Sequence, residues 1–273
     1  MLDSFSLLDQ GQREYQEDRL QVVQLDNDWE LVMIADGHGG KDVAEFLVEN
    51  APRHFDAISN SLTGKDSFRN VYLTYDRLDE EIKRRCNSYT VGSTLTTICL
   101  NTKKNVIVAA NCGDSMAIVG NKWGSRWMSR EHKASSEVEA IEARGGKVFA
   151  PDGIMQRVNG TLNMSRAMGD FYLKQFITCS PFVTRCKLSD FDYAFVASDG
   201  IWDVMNKDEV HMIIEKHTRK QNVPIKELLE AILTLCRARG SGDNVAIVMT
   251  LLNDRFYYTN SNASSSSNHH KLL

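Results

Sequence analysis

Three well-separated segments of this chain read as a buried apolar strand that abuts an acid. They are Leu31-Val32-Met33-Ile34-Ala35-Asp36-Gly37-His38-Gly39-Gly40, Ala194-Phe195-Val196-Ala197-Ser198-Asp199-Gly200, and Ser241-Gly242-Asp243-Asn244-Val245-Ala246-Ile247-Val248. In the third the order reverses and the acid comes first. A fold that gathers strand ends at one sheet edge would bring Asp36, Asp199 and Asp243 together. Carboxylates meeting at 4 Å repel by roughly 4 kcal/mol per pair at an effective dielectric of about 20. Such a cluster is stable only with a cation in it. Oxygen ligands without cysteine or paired histidine favour a hard ion, Mg²⁺ or Mn²⁺.

The periodicity around these segments predicts strands within 4–35 and helices over 41–59 and 66–87. Val43, Phe46, Leu47 and Ala51 mark the inner face of the first helix. Phe68, Val71, Tyr72, Tyr75, Leu78 and Ile82 mark that of the second, with Asp79, Glu80 and Glu81 on its polar face. Strands follow at 93–100, 105–112 and 115–119, and a short helix at 135–144 closes on Gly145-Gly146. Strands recur near 154–158, 182–187 and 193–198, then helices at 207–220 and 224–239 and a last strand at 244–252. The order is strands, two helices, many strands, two helices, one strand. It is not a βαβ alternation and argues for a largely antiparallel α+β fold with helices over the sheet faces.

The 273 residues carry a net charge of −4, which asks for neither nucleic acid nor an anionic membrane as partner. No apolar run reaches the 18 or so residues that span a bilayer. The N-terminus has neither a basic region nor a long apolar core, so no secretory signal is expected. Six cysteines without a Cys-x-x-Cys pair are expected to be reduced in a cytoplasmic or nuclear protein. Residues 1–258 are expected to form one domain, as a monomer by default, and the Ser/Asn-rich 259–273 a disordered polar tail.

Each acidic motif also has a plain structural reading. Asp199 could cap a helix, Asp243-Asn244 could form a turn, and Glu17-Asp18 could be a solvated charge run. Gly113-Asp114-Ser115 reads best as a hairpin turn between two strands. What lifts all of these acids is their joint occurrence in one chain, in a fixed order.

Taken in order, the motifs Arg13-x-x-x-Glu17-Asp18, Asp36-Gly37-His38-Gly39-Gly40, Gly92-Ser93-Thr94, Gly113-Asp114-Ser115, His132-Lys133, Gly145-Gly146, Ser165-Arg166-Ala167-Met168-Gly169-Asp170, Ser198-Asp199-Gly200-Ile201-Trp202-Asp203 and Ser241-x-Asp243-Asn244 resemble the type 2C metal-dependent Ser/Thr protein phosphatases. The resemblance covers about residues 4–252. It implies a four-layer α-β-β-α sandwich of two antiparallel sheets flanked by antiparallel helix pairs. It implies two Mg²⁺ or Mn²⁺ ions, bridged by Asp36, with Asp199 and Asp243 completing one ion's ligands and the Gly37 carbonyl on the other. Glu17 and Asp18 would hold metal-bound waters, Arg13 the phosphate, and His38 would be the general acid. The implied reaction is direct attack of a metal-activated water on phosphoserine or phosphothreonine in protein substrates, without a phosphoenzyme. The rival from another class is an inactive phosphatase-fold binding module, which typically loses metal ligands or the clamp.

Some positions depart from the family pattern. Glu131 stands where Asp commonly precedes His-Lys and helps hold a third, weaker ion, so Glu131 is the candidate ligand for a third ion here. Met116 replaces a usual Arg, and Ala35 a frequent Phe. The stretch from Phe171 to Asp192 is short where many relatives carry a flap beside the cleft.

Overall fold

The structure is a computed structural model and describes residues 2–218 and 224–253. The expected domain boundary at 258 and the polar tail lie outside the described residues. In chain order the strands are β1 (Asp3–Asp9), β2 (Arg19–Gln24), β3 (Glu30–Ala35), β4 (Gly37–His38), β5 (Gly92–Ser93), β6 (Leu95–Asn101), β7 (Val106–Cys112), β8 (Met116–Asn121), β9 (Gly124–Trp127), β10 (Val148–Phe149), β11 (Arg157–Val158), β12 (Met168–Gly169), β13 (Phe182–Cys186), β14 (Tyr193–Ala197) and β15 (Val245–Leu251). The α-helices are α1 (Asp42–Ile58), α2 (Ser67–Arg85), α3 (Val138–Ala143), α4 (Asp199–Trp202), α5 (Lys207–Thr218) and α6 (Ile225–Ala238).

Period-two alternation decides how these elements layer. Val32 and Ile34 of β3 share a cluster with Ile98, Ala117, Val196, Ala246 and Val248, from strands of both large sheets. Their neighbours Leu31, Met33 and Ala35 point the other way, into a cluster with Val43, Phe46, Leu47, Val71, Tyr75 and Leu78 of α1 and α2. On the second sheet, Tyr193, Phe195, Val245, Ile247 and Met249 face Val210, Ile214, Leu228, Leu229 and Ile232 of α5 and α6. Both sheets are therefore buried on both faces, which is why their strands read as continuous apolar runs. The result is the expected sandwich: one helix pair, two antiparallel five-stranded sheets, and a second helix pair.

One sheet has the order β1-β15-β14-β8-β9 and the other β13-β7-β6-β3-β2. A small third sheet, β12-β5-β4, sets Gly37 opposite Ser93 and His38 opposite Gly92. Because β7 and β8 lie in different sheets, Gly113-Asp114-Ser115 is not the hairpin turn expected from sequence. It is a crossing between layers.

The polar face expected for α2 also needs correction. Asp79 is only 7% exposed. Its Oδ1 accepts hydrogen bonds from the Gly169 amide at 2.8 Å and the Lys174 ammonium at 2.9 Å. The segment 167–179 packs over that side of the helix, so an acid that spacing assigned to solvent becomes a buried tether. Phe68 and Tyr72, expected inside, are each 37% exposed. The stretch Phe171–Asp192, read as short beside the cleft, contributes Tyr172 to its lining. More of one cleft wall comes from the covering segment 148–164, through Met155, Arg157 and Thr161 to Met164, and its Val158, Leu162 and Met164 form a small core with Ala134 and Ile141.

Breaking the tether tests this packing. Asp79→Ala leaves Lys174 half-paired and the Gly169 amide without its acceptor, and should cost about 2 kcal/mol in a urea unfolding curve.

Candidate metal centre

The site lies where strand ends of both sheets meet. Asp36 follows β3, Asp114 lies in the β7–β8 crossing, Asp199 opens α4 just after β14, and Asp243 precedes β15. All four line one cleft of about 380 Å³, together with Arg13, Glu17, Gly37, His38, Asp170 and Asp203. One carboxylate oxygen from each of Asp36, Asp114 and Asp199 lies within 4.8 Å of the other two. Among the described residues, this is the one grouping of three or more such acids, cysteines or histidines close enough to share an ion.

Each acid is held by its own backbone environment. The Asp36 amide donates to Thr94 Oγ1 at 3.0 Å, and its carbonyl accepts from Ser93 Oγ at 3.0 Å and from the Thr94 amide at 2.8 Å. The Gly92-Ser93-Thr94 motif thus clamps Asp36. The crossing that carries Asp114 is fixed through Gly113, whose carbonyl accepts from the His132 amide at 3.2 Å and sits 3.0 Å from His132 Nδ1. His132 is fully buried and its pKa is lowered to about 4, by burial first and then by Arg166, so it stays neutral. Asn244 anchors the loop that bears Arg13. Its Oδ1 accepts from the Glu17 amide at 2.8 Å, and its Nδ2 donates to the carbonyls of Gln10 at 2.8 Å and Tyr15 at 3.0 Å. Gly37 has no room for a side chain, since a Cβ there would come within 2.8 Å of the Glu17 carbonyl oxygen.

Not every expected residue falls in the tight group. Asp243 lines the cleft, but its Oδ2 accepts from Arg13 Nη2 at 2.7 Å. Asp18 is 1% exposed and its Oδ2 accepts from Ser198 Oγ at 2.8 Å, so it buttresses the cluster from beneath. Glu131 is not brought in. Lys133 lies between Glu131 at 3.1 Å and Asp203 at 2.8 Å, and holds the longer side chain away from the trio. His38 Nε2 lies 2.6 Å from Asp170 Oδ2, while Nδ1 is buried without a partner. A Cβ on Gly92 would come within 2.1 Å of that Asp170 oxygen and 2.5 Å of His38 Nε2, so this pairing requires glycine at 92.

Sequence reading missed Asp114 as a site residue and gave Asp170 and Asp203 no role. A signal for Asp114 was present: an acid between two glycine- and serine-flanked buried strands is wasted on a solvated turn.

The donor set fits a hard divalent ion. Asp114 Oδ2 is buried with no hydrogen-bond partner. Asp36 and Asp114 are pushed well above the usual carboxylate range, by burial first and then by neighbouring acids. Asp199 is raised to about 6 and Asp18 to about 7, again by burial first. All four would gain from a cation that neutralises them.

The sign of the pH effect follows. An acid whose folded pKa is raised binds more protons when folded than when unfolded. Its stabilising contribution is present below the unfolded pKa of 3.8 and is lost as pH rises through about 6 for Asp199. In EDTA, Asp199→Asn should therefore gain in Tm relative to the unsubstituted protein between pH 5 and pH 7.5. Saturating Mn²⁺ should reverse that order at the higher pH, because only the protein with the full carboxylate set gains binding free energy. Thermal melts at the two pH values check both statements.

Comparison with known proteins places the chain in a family. The sequence matches the protein phosphatase 2C family over residues 3–245. It is 34% identical over 247 residues to "Probable protein phosphatase 2C 71" of Arabidopsis thaliana, covering 87% of this chain and 52% of that protein. It is 32% identical over 239 residues to "Probable protein phosphatase 2C 68" of Oryza sativa subsp. japonica, covering 79% of this chain and 66% of that protein. The chain thus spans about half to two thirds of the length of these curated relatives. Among solved structures, a C. elegans sex determining protein superposes with a TM-score of 0.85 at 26% identity, over 94% of this chain and 67% of that one. A serine-threonine phosphatase 2C from Toxoplasma gondii, at 22% identity and a TM-score of 0.73 over 92% of this chain and 94% of that one, shares the fold. The chain belongs to the protein phosphatase 2C family.

Proposed function

We propose that this chain is a catalytically active, Mg²⁺- or Mn²⁺-dependent phosphatase that hydrolyses phosphoserine and phosphothreonine in proteins. One observation carries the reading: Asp36, Asp114 and Asp199 converge within 4.8 Å in a cleft that also holds Arg13. These three acids would hold two ions, with Asp243 and the Gly37 carbonyl as further ligands and Glu17 and Asp18 orienting water around them. Bound divalent ions would supply an activated water and neutralise phosphate charge.

The other steps belong to the chain's own side chains. Arg13 is 61% exposed and engages Asp243 through Nη2, which leaves the rest of its donor fork for phosphate oxygens. Asp243 thereby preorganises the clamp. His38 would protonate the departing serine or threonine alkoxide, a strongly basic leaving group. To do so its imidazole must turn from Asp170 toward the leaving oxygen, and a ring that is 26% exposed at the cleft has an open side to turn to. Asp114 is buried while Asp36 and Asp199 are half-buried at the cleft wall, and the low-dielectric protein behind them strengthens charge interactions there. An inactive binding module would have no use for an acid cluster and a clamp kept together in one cleft.

The test is hydrolysis of an aryl phosphate and of a phosphothreonine peptide. Activity should require Mn²⁺ or Mg²⁺ and disappear in EDTA. Asp36→Asn should lower kcat/KM by more than about a hundredfold while the circular-dichroism spectrum is retained. Protein that is inert with saturating metal would contradict the reading. His38→Ala should slow the phosphothreonine peptide by about a hundredfold or more, and nitrophenyl phosphate far less, because nitrophenolate leaves without a proton. Equal losses on the two substrates would remove His38 as the acid.

A further inference from the structure

The covering segment brings a second arginine to the cleft. Arg157 and Val158 form β11, paired with β10 so that Arg157 stands opposite Phe149. Val158 is fully buried in the small core with Ala134, Ile141, Leu162 and Met164. Strand alternation then turns Arg157 to the other side, onto the wall of the cleft that holds Asp36, Asp199 and Arg13. Its Nη1 donates to the Thr161 carbonyl at 2.9 Å and its Nη2 contacts Met155 Sδ at 3.5 Å. Both partners are in the same short segment, so the guanidinium is steadied by its own ribbon and not by the acids below.

It makes no ion pair, although its charge reaches the exposed Asp152 of the same segment. Among the described residues no carboxylate lies within ion-pair distance of Arg157. By contrast the other arginine lining the cleft, Arg13, has one in Asp243. A partly buried guanidinium with spare donors and no ion-pair partner matches an anion that arrives with a ligand. The clamp reading already assigns the scissile phosphate to Arg13, which comes from a different loop.

We infer that Arg157 determines substrate specificity: it selects phosphopeptides that carry a carboxylate side chain near the phosphorylated residue. This inference rests on the phosphatase reading above. The partner carboxylate would take two parallel N–H···O bonds from the planar fork, a geometry that Lys cannot reproduce.

The experiment measures kcat/KM on phosphothreonine peptides in which one Glu is moved a position at a time along an otherwise neutral sequence, with matched Ala and Lys peptides. The unsubstituted protein should prefer the best-placed Glu peptide over its Ala counterpart by about fivefold to tenfold, as expected for a partly desolvated charge-assisted pair. Arg157→Ala should bring that ratio close to one, Arg157→Lys should restore only part of it, and Arg157→Glu should shift the preference to the Lys peptide. An unchanged ratio in Arg157→Ala overturns the inference. So does a loss shared equally by all peptides, which would make Arg157 a structural brace of the ribbon. Activity on an aryl phosphate separates the two readings. If the unsubstituted protein lacks it, the phosphatase reading fails; if it is active but indifferent to Glu, this inference alone fails.

Discussion

Mutual repulsion among carboxylates crowded at a partly buried cleft is the constraint around which this structure is arranged. Asp36, Asp114 and Asp199 share one pocket with Asp18 just beneath, and burial raises the proton affinity of all four. A chain free to relax would move such groups apart. Here each is fixed through backbone bonds that do not involve its carboxylate: Asp36 by Ser93 and Thr94, Asp114 through the His132–Gly113 contact, Asp199 at the start of a helical turn after a fully buried strand. The sandwich supplies the rigidity, and the unfavourable charge density becomes affinity for a cation.

The topology explains why four distant positions can meet. β3 and β14 both run toward the same end of the sandwich and stop in an acid. β15 is antiparallel to β14, so the residue before it returns to that end. The β7–β8 crossing passes between the layers there and delivers Asp114. Around this core the chain adds parts that recognise and position. Asn244 latches the Arg13 loop, Asp170 meets His38, and the 148–164 segment roofs the cleft with its own small hydrophobic core. Asp79 links the roof side to α2 through the Gly169 amide, one residue from Asp170.

Much of this was legible before folding. Covered sheet faces follow from apolar runs in β3, β14 and β15, the four-layer stacking was implied by the family resemblance, and the meeting of Asp36, Asp199 and Asp243 on one cleft follows from where those runs end. What escaped sequence reading depends on tertiary neighbours. Asp114 looks like part of a hairpin because β7 and β8 are adjacent in sequence, and nothing local says that they belong to different sheets. Asp79 falls on the polar stripe of α2 by spacing, yet a later segment buries it against Lys174. Glu131 pairs with Lys133, two residues away, and lies outside the tight trio. Arg157 carries no motif at all. Its position follows from a two-residue strand, too short to leave a periodic signal.

The most direct measurement is an anomalous-scattering map from a crystal equilibrated with Mn²⁺. Ion peaks are expected bonded to a carboxylate oxygen of Asp36 and to Asp114 or Asp199, within about 2.0–2.6 Å as hard-ion coordination requires. Crystals saturated with Mn²⁺ that show no peak against Asp36, or ions bound only at surface acids, would contradict it.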